Sequence, residues 1–487
     1  MPKIWFTILI INLFTNVFGQ HYISSNKPQL NQKKSIYHQP IGESSFGNYM
    51  LNYATEYLTG GFSIERYDQN LNFIDDRFVD VPRNNFVIKI FISDSGIYYV
   101  SLIKRKKEGI GVYLNRISYD LSELVESKLI DQIDRIDINS DEIISDYNFH
   151  TKKFCICYMK KIDPESSEVL IKSYSIEGEK LFFQRTKIFQ PIQNIYWNDV
   201  SISKSGSILA LLNVVKSKES FVRRSKNKSY IYFKIDVYGI LTKEIESVFL
   251  AQNIHLALDP EQRFWILAGL FGENKVQSLG LFELKIPVNN VDSGSKFDYF
   301  FNQSQSKILE GSTLKDGNSK LFPENYTIRN IVFMANGSYV VCLERFNELK
   351  QLETFYINGI PQTATKILYN YNEIGLVFLS PEGIDTCLRI NKEQIAAPNT
   401  SYMLGYSTFT CEKAIHILYN GDISRDNQII DVIIKPDFTM EKKILIDSEN
   451  FYCVLVPFDG RETNYCSFTV PLIRDKQWFW IKISDND

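Results

Sequence analysis

The groups in this sequence best suited to binding a ligand are two clusters of basic side chains. They are Lys104, Arg105, Lys106 and Lys107, followed much later by Arg223 and Arg224. Each cluster follows an apolar segment typical of a β-strand, so we expect both on surface loops. Such loops attract anionic partners such as acidic polysaccharide, lipopolysaccharide or an acidic protein surface. The alternative is two solvated charged loops without a ligand.

Trp197 is the aromatic side chain that could face the channel mouth and stack on a sugar. It lies in the segment IYWNDV, immediately before an apolar strand. The simpler interpretation is that Trp197 packs in the core, as we expect for Trp265, Trp478 and Trp480.

The sequence contains no complete motif of a metal site or of a common catalytic site. Asp137-x-Asn139-x-Asp141 opens like a calcium loop, but Glu142 stands where the turn glycine belongs. No G-x-S-x-G, H-E-x-x-H, P-loop or G-x-G-x-x-G motif occurs. We therefore assign no metal, no cofactor and no catalytic residue. A pair of loop carboxylates could still serve a glycoside hydrolase or lyase, and that alternative stays open.

Seven cysteines leave at least one without an intramolecular partner. Cys155 and Cys157 are two residues apart in an expected strand, so they share a face and are poorly placed to bond to each other. We predict a disulfide between Cys453 and Cys466, on adjacent strands of one hairpin.

The N-terminus has the pattern of a secretory signal peptide over residues 1–19. Lys3 precedes the apolar run Ile4–Phe14, and Val17 and Gly19 put small residues before Gln20. The run is shorter than a membrane-spanning helix requires, and no cysteine near position 20 offers a lipid anchor. We expect an exported protein, secreted or at the periplasm or cell surface, with no membrane span.

Composition excludes disorder and argues against nucleic acid as a partner. The 487 residues are 44% hydrophobic and 14% aromatic, and 54 basic residues face 57 acidic ones, for a net charge of −3. A chain so balanced has no bulk electrostatic attraction to a polyanion. Composition does not indicate an oligomeric state.

A hairpin recurs along the chain: an apolar strand, a tight polar turn and a more continuously apolar strand. Copies occur at 91–103, 147–159, 200–212, 256–269, 331–343 and 407–419, with a degraded copy at 451–468. The equivalent turn positions are Gly96, Lys152, Gly206, Gln262, Gly337 and Lys413.

A second unit, an alternating strand followed by a charged strand, lies between these hairpins. It occurs at 62–79, 113–130, 169–184, 230–246, 374–390 and 429–445, and more weakly near 278–290. Four strands in each repeat of 50–75 residues are typical of a β-propeller. We therefore predict an all-β fold, a single propeller over 62–487, with 20–61 as a lead-in segment.

The order of the units predicts seven four-stranded blades. The hairpin 62–79 would join the C-terminal hairpin 451–483, so that strands from both ends of the chain close the ring. Six or eight blades, and two stacked β-sandwiches, are the alternatives.

Long connections are expected on one face of the propeller. They are 104–112, 131–142, 215–229, 287–327 and 346–372. Variable loops on a rigid scaffold are where binding commonly occurs, although insertions can also be merely tolerated.

The overall pattern resembles uncharacterised secreted propeller-like proteins of Bacteroidetes-type bacteria. The resemblance is carried by residues 328–445, through TIRNIVFMANGSYVVCLER, IGLVFLSPEGIDTCLRI and AIHILYNGDISRDNQIIDVIIKPDFTMEKKIL. It covers about a quarter of the chain and implies a propeller without a known activity.

Two functions follow as hypotheses. The first is a non-enzymatic module that binds a protein or polysaccharide through its long-loop face. The second is a carbohydrate-active enzyme with acidic residues at the central channel.

Overall fold

In a computed structural model, the described residues of the chain fold mainly into antiparallel strands. The structure describes residues 20–25, 37–53, 58–82, 85–105, 109–133, 142–188, 195–217, 226–236, 239–245, 250–272, 278–290, 294–310, 324–334, 337–357, 360–411, 414–421, 428–447, 453–464, 466–475 and 477–485. These residues form eight sheets, numbered here along the chain.

The first four sheets each consist of four consecutive strands. Strand β1 is Gln20–Ser24, and sheet 1 contains β2 (Tyr37–Ser44), β3 (Gly47–Tyr53), β4 (Phe62–Tyr67) and β5 (Phe73–Val79). Sheet 2 contains β6 (Phe86–Ser93), β7 (Gly96–Arg105), β8 (Gly109–Ile117) and β9 (Leu124–Ile133). Sheet 3 contains β10 (Ile143–Asn148), β11 (Lys153–Asp163), β12 (Ser166–Ser175) and β13 (Lys180–Ile188). Sheet 4 contains β14 (Ile195–Ile202), β15 (Ile208–Ser217), β16 (Lys226–Asp236) and β17 (Gly239–Glu244).

The other four sheets include the longest strands and the described α-helix. Sheet 5 contains β18 (Leu250–Leu258), β19 (Phe264–Gly272), β20 (Gly280–Pro287) and β21 (Ser295–Phe300), and helix α1 (Gln303–Glu310) follows. Sheet 6 contains β22 (Tyr326–Phe333), β23 (Tyr339–Ile357), β24 (Ile360–Ser380) and β25 (Gly383–Ile390), and β26 (Gln394–Ala396) comes next. Sheet 7 contains β27 (Ser407–Cys411), β28 (Ala414–Asn420), β29 (Gln428–Ile434) and β30 (Met440–Asp447). Sheet 8 contains β31 (Cys453–Leu455), β32 (Arg461–Asn464), β33 (Ser467–Arg474) and β34 (Gln477–Asp485), together with β1. Short 3-10 turns span Pro398–Met403 and Pro457–Asp459.

The prediction of seven blades is wrong, because the described chain has eight sheets. The hairpin 62–79 pairs with β3 of the segment expected to be a lead-in, and it does not pair with the C-terminal hairpin. Gly47 makes this extra sheet possible: a Cβ there would lie 2.3 Å from the Tyr67 carbonyl oxygen. Strands from both ends of the chain do share one sheet, but the N-terminal contribution is β1, which pairs with β34.

The predicted repeat of turns is confirmed where the structure describes it. Gly96, Gly206 and Gly337 have positive φ, and so do Lys152 at 54° and Gln262 at 57°. The positive φ of Lys152 and Gln262 shows that the same turn geometry recurs between repeats even where glycine is absent. A residue with a Cβ adopts this conformation only at a cost in free energy. Lys413 lies outside the described residues.

The strands divide into two compact units. One comprises residues 56–60 and 80–393, with sheets 2 to 6, and the other comprises residues 1–55, 61–79 and 394–487, with sheets 1, 7 and 8. In the first unit, the opening strands β6, β10, β14, β18 and β22 are successive neighbours. Its hydrophobic core lies between consecutive sheets, and the second strands are buried on both faces, as Leu209 to Leu212 show. These features are propeller-like.

Candidate functional site

Bulges interrupt the opening strands of four sheets in the unit that contains sheets 2 to 6. The pairing register shifts at Ile88 in β6, at Asn198 in β14, at Asn253 and Ile254 in β18, and at Arg329 in β22. A bulge leaves the extra residue unpaired and redirects its side chain. The polar residues Asn198, Asn253 and Arg329 are placed in this way.

A cavity of about 370 Å³ lies where the bulges of β14, β18 and β22 meet. Its described lining is Asn198, Asn253, Ile254, Thr327, Ile328, Arg329, Phe346 and Tyr371. The cavity lies near the edge of each sheet at which the first strand begins. At this edge the start of the first strand pairs with a late part of the second strand, as Tyr326 does with Arg345 and Ile195 with Val214. The long connections predicted from the sequence leave the sheets at that same edge.

Arg329 is held in place by a buried carboxylate. Its Nε donates to Glu344 Oε2 at 2.7 Å, and its guanidinium lies 5.1 Å from the centre of the Tyr371 ring. The Arg329 side chain is 29% exposed, whereas Glu344 is completely buried. Of the described residues that line the cavity, Arg329 alone carries a formal charge.

Lys392 binds the same carboxylate that holds Arg329. Its Nζ donates to the other oxygen of Glu344 at 2.6 Å, and its side chain is 1% exposed. Burial lowers the pKa of Lys392, and the Glu344 charge opposes that effect. Glu344 thus bridges two cations, one buried and one at the cavity.

A second ionic group lies beside the first and anchors helix α1. Arg345 pairs with Glu310 of α1 at 2.6 Å and with Glu373 at 3.5 Å, and Arg389 also pairs with Glu373. Because these side chains are mostly buried, the pairs fix α1 and the strands of sheet 6 against each other.

Two acidic side chains on opening strands connect neighbouring sheets. Asp146 accepts hydrogen bonds from Lys89 Nζ at 3.1 Å and from the Ile202 N–H at 3.2 Å. Asp199 accepts from the N–H groups of Val200 and Leu256. Each carboxylate therefore binds the backbone of the next opening strand, which is a structural role.

Asp199 nevertheless has a strongly shifted pKa. Burial raises it from an ordinary value of 3.8 to about 6, and the neighbouring Asp146 charge adds to the increase. A carboxyl group with such a pKa can serve as a general acid. This is the observation that favours the enzyme hypothesis.

Three of the predicted loops are continuations of strands. Residues 104–112, 215–229 and 346–372 largely extend the second and third strands of sheets 2, 4 and 6 as paired hairpins. The sequence signal for the longest extension is the Asn358-Gly359 dipeptide, which favours a two-residue hairpin turn.

The extension of sheet 6 is a two-stranded ribbon that rises from the rim of the cavity. Phe346 and Tyr371 pair at its base, with ring centres 5.0 Å apart. Beyond them, β23 runs for about 35 Å at the usual rise per residue. Leu352 and Tyr356 lie on one ribbon face and are 77% and 72% exposed.

The predicted basic loops are described only in part. Lys104 is exposed, and Arg105 hydrogen-bonds to Tyr113, over whose ring its guanidinium lies. Lys106, Lys107, Arg223 and Arg224 lie outside the described residues. Their role in binding stays a prediction.

Trp197 is partly buried on β14, adjacent to the bulge residue Asn198. Its indole N–H donates to the Glu142 carbonyl at 3.1 Å, and its ring packs against the core between sheets 3 and 4. Trp197 is not among the described residues that line the cavity, and its stacking on a sugar stays a prediction.

The disulfide joins Cys466 to Cys411 and not to Cys453. In sheet 8, Cys453 pairs with Arg474 at the far end of β33, while Cys466 immediately precedes that strand. The Cys411 and Cys466 Cα atoms are 4.2 Å apart, across sheets 7 and 8. Cys155 and Cys157 are buried and unpaired, as predicted.

Among the described residues there is neither a metal site nor a membrane-spanning helix. No group of three or more His, Cys, Asp or Glu side chains is placed to hold a metal ion, and residues 134–141 with the calcium-like motif are not described. No described helix is long and apolar enough to cross a membrane.

Sequence reasoning missed Arg329, Glu344, Lys392 and Tyr371. The available signal was a charged residue inside an otherwise apolar strand: Arg329 interrupts TIRNIVF, and Glu344 ends the apolar run YVVCL. Such a charge needs a buried partner, but the local sequence does not identify that partner.

Comparisons with known proteins identify no family. No family model and no curated protein matches the chain. Among solved structures, a mutant apocarotenoid oxygenase of Synechocystis has a TM-score of 0.36 at 11% identity, over 72% of each chain. A GH32 β-fructofuranosidase of Bombyx mori in complex with sucrose has 0.29 at 8% identity, over 96% of this chain and 93% of the other. A GDP-mannose-dependent mannosyltransferase of Leishmania mexicana has 0.20 at 9% identity, over 61% and 82%. Scores and identities this low carry no argument about the chain's activity.

Proposed function

We propose that this protein is an exported, non-enzymatic glycan-binding module whose propeller blades present a ligand cavity at their loop-bearing ends. The observation that carries the proposal is the cavity at which bulges place Asn253 and Arg329. Asn198 also lines this cavity, and its amide nitrogen donates to the Ile254 carbonyl at 2.9 Å. Amide and guanidinium groups are suited to sugar hydroxyls, and the adjacent rings of Phe346 and Tyr371 are suited to the apolar face of a sugar ring.

The volume supports a small ligand or one end of a longer one. About 370 Å³ is at the lower end of the usual range for ligand sites. Location supports the proposal as well, because residues 1–19 are typical of a signal peptide and export would place the cavity among extracellular polysaccharides.

A glycan array with the purified full chain tests the proposal, with hits measured by calorimetry. Asn253→Gly removes one amide from the cavity and keeps a residue that adopts the positive φ of 49° found there. We expect this variant to lose at least about tenfold in affinity, which is the usual cost of a lost polar contact. Phe297→Ala is the matched control, since Phe297 is exposed at a different cavity.

Unchanged affinity in Asn253→Gly would contradict the placement of the site. An array without any hit would contradict glycan binding itself.

A carbohydrate-active enzyme is the second candidate, and the pKa of Asp199 favours it. A hydrolase needs two carboxyl groups at the scissile bond, one protonated and one ionised. Asp199 and Asp146 are on neighbouring strands, but both bind backbone N–H groups of the scaffold. Incubation with the oligosaccharides that bind tests this candidate: product formation that Asp199→Asn abolishes would support an enzyme and contradict the binding module.

A further inference from the structure

We infer that the ligand of the Arg329 cavity carries a single carboxylate, as an acidic sugar does, and that Glu344 and Lys392 are positioning residues for its recognition. This inference rests on the proposed glycan-binding function and specifies the ligand class. Three observations support it: the charge of the cavity, the anchoring of Arg329 and the balance of charges beneath it.

Among the described residues that line the cavity, Arg329 is the one charged side chain, and its charge is positive. The other described lining residues are amide, hydroxyl, aromatic and aliphatic groups. A neutral sugar would offer no charged group to Arg329, whose side chain is 29% exposed. A carboxylate matches the planar fork of an arginine and forms stronger, charge-assisted hydrogen bonds with it.

The anchoring of Arg329 limits how the guanidinium can turn. Glu344 holds Nε at 2.7 Å, and the guanidinium carbon lies 5.1 Å from the centre of the Tyr371 ring. A fixed guanidinium loses less conformational freedom when a ligand binds, which improves affinity. It also favours a planar anion in one orientation.

Lys392 sets the charge balance. Glu344 carries one negative charge between two cations, so Arg329, Glu344 and Lys392 have a formal net charge of +1. The neighbouring Arg345, Arg389, Glu310 and Glu373 are balanced among themselves. Without Lys392, the Glu344 charge would cancel that of Arg329, and the cavity would lose its preference for an anion.

Matched variants separate this charge effect from simple damage to the fold. Lys392→Met keeps an unbranched side chain of similar length and removes one buried cation. The double variant Glu344→Gln with Lys392→Met removes both buried charges, so that Arg329 again supplies +1 while the introduced amide oxygen can still accept from its Nε. Replacing a buried ion pair with neutral groups is commonly tolerated.

The experiment measures the affinities of the full chain for two probes by calorimetry, a disaccharide that ends in glucuronic acid and its glucose counterpart. We expect the acid to bind at least about tenfold more tightly at low salt, because a charge-assisted contact contributes about this much. Arg329→Gln should abolish the difference, Lys392→Met should reduce it several-fold, and the double variant should restore it. Higher ionic strength should reduce it in the wild-type chain.

Each other outcome identifies what is wrong. Equal binding of the acid and neutral probes would overturn the carboxylate inference and leave glycan binding intact. Failure of both probes, together with an empty array, would overturn the proposed function as well. A double variant that shows no more preference for the acid than Lys392→Met does would overturn the role of charge balance.

Discussion

Substitution of Asp199 by Asn should stabilise the protein at neutral pH and should have little effect in acid. Asp199 has a pKa of about 6 in the folded chain against an ordinary value of 3.8. Between these values, the folded state holds a proton that the unfolded state has released, so the free energy of unfolding falls as the pH rises. The two pKa values correspond to about 3 kcal/mol of stability, lost by the time the pH exceeds 6.

Asparagine is permanently neutral and keeps an oxygen that can accept from Val200 or Leu256. Asp199→Asn therefore removes the cost of a buried charge but retains the link to the next strand. A chain of this length unfolds with an entropy that makes 1 kcal/mol correspond to about 1 °C. We expect the Tm of Asp199→Asn to be about 3 °C higher than wild type at pH 7.5 and nearly equal to it at pH 4.

Differential scanning fluorimetry of both proteins from pH 4 to pH 8 measures this difference. Asp146→Asn is the control, since it removes the ion pair with Lys89, whose side chains are 31% and 28% exposed. That variant should lose up to about 1 kcal/mol at neutral pH, reduced by the smaller gain from removing the Asp146 charge near Asp199, so its net change is of opposite sign. A constant difference between Asp199→Asn and wild type across this pH range would refute the reasoning, as would a lower Tm at pH 7.5.

Three other predictions concern the scaffold. Cys411→Ser should lower the free energy of unfolding by about 4 kcal/mol, because the disulfide closes a loop with a sequence separation of 55. Cys453→Ser is the matched control and should keep the Cys411–Cys466 bond in a non-reducing gel-shift assay. Replacing residues 349–368 of the exposed ribbon with Asn-Gly should change thermal stability by less than about 1 kcal/mol, since exposed residues contribute little; a larger loss in calorimetry would show that the ribbon supports the fold. Asp131→Asn should cost about 2 kcal/mol of stability at pH 7 and less in acid. Burial alone would raise the Asp131 pKa, but hydrogen bonds from Lys172 and Tyr174 lower it overall. The stability that the Asp131 carboxylate contributes is therefore lost as the pH falls. Chemical denaturation at pH 7 and pH 4 measures this effect, and equal losses at both would contradict it.

The sequence alone predicts the local architecture well. Alternation with a period of two, interrupted by Gly, Asn, Asp and Ser, locates the hairpins at 91–103 and 200–212 because strand faces and tight turns depend on residues close together in the chain. The same rules apply to ESSFGNYMLNY, residues 43–53, where Gly47 begins the strand that follows a two-residue turn. Recognising that copy would have given eight sheets.

Other features depend on contacts between residues far apart in sequence. The pairing of β1 with β34 and of Cys411 with Cys466 is decided by which sheets become neighbours. No local pattern contains that information, since any free strand edge or buried thiol is a comparable partner until the chain has packed.

The candidate site shows the same division. From the sequence, Arg329 is a charge in an apolar strand, and Asn198 is one of many asparagines. Bulges in separate sheets bring the two to one cavity, and buried Glu344 and Lys392 hold the guanidinium there. The sequence thus determined the strands and most of their turns, because those follow from neighbouring residues. Only the tertiary structure decided the number of sheets, the disulfide and the cavity, because each requires distant segments to meet.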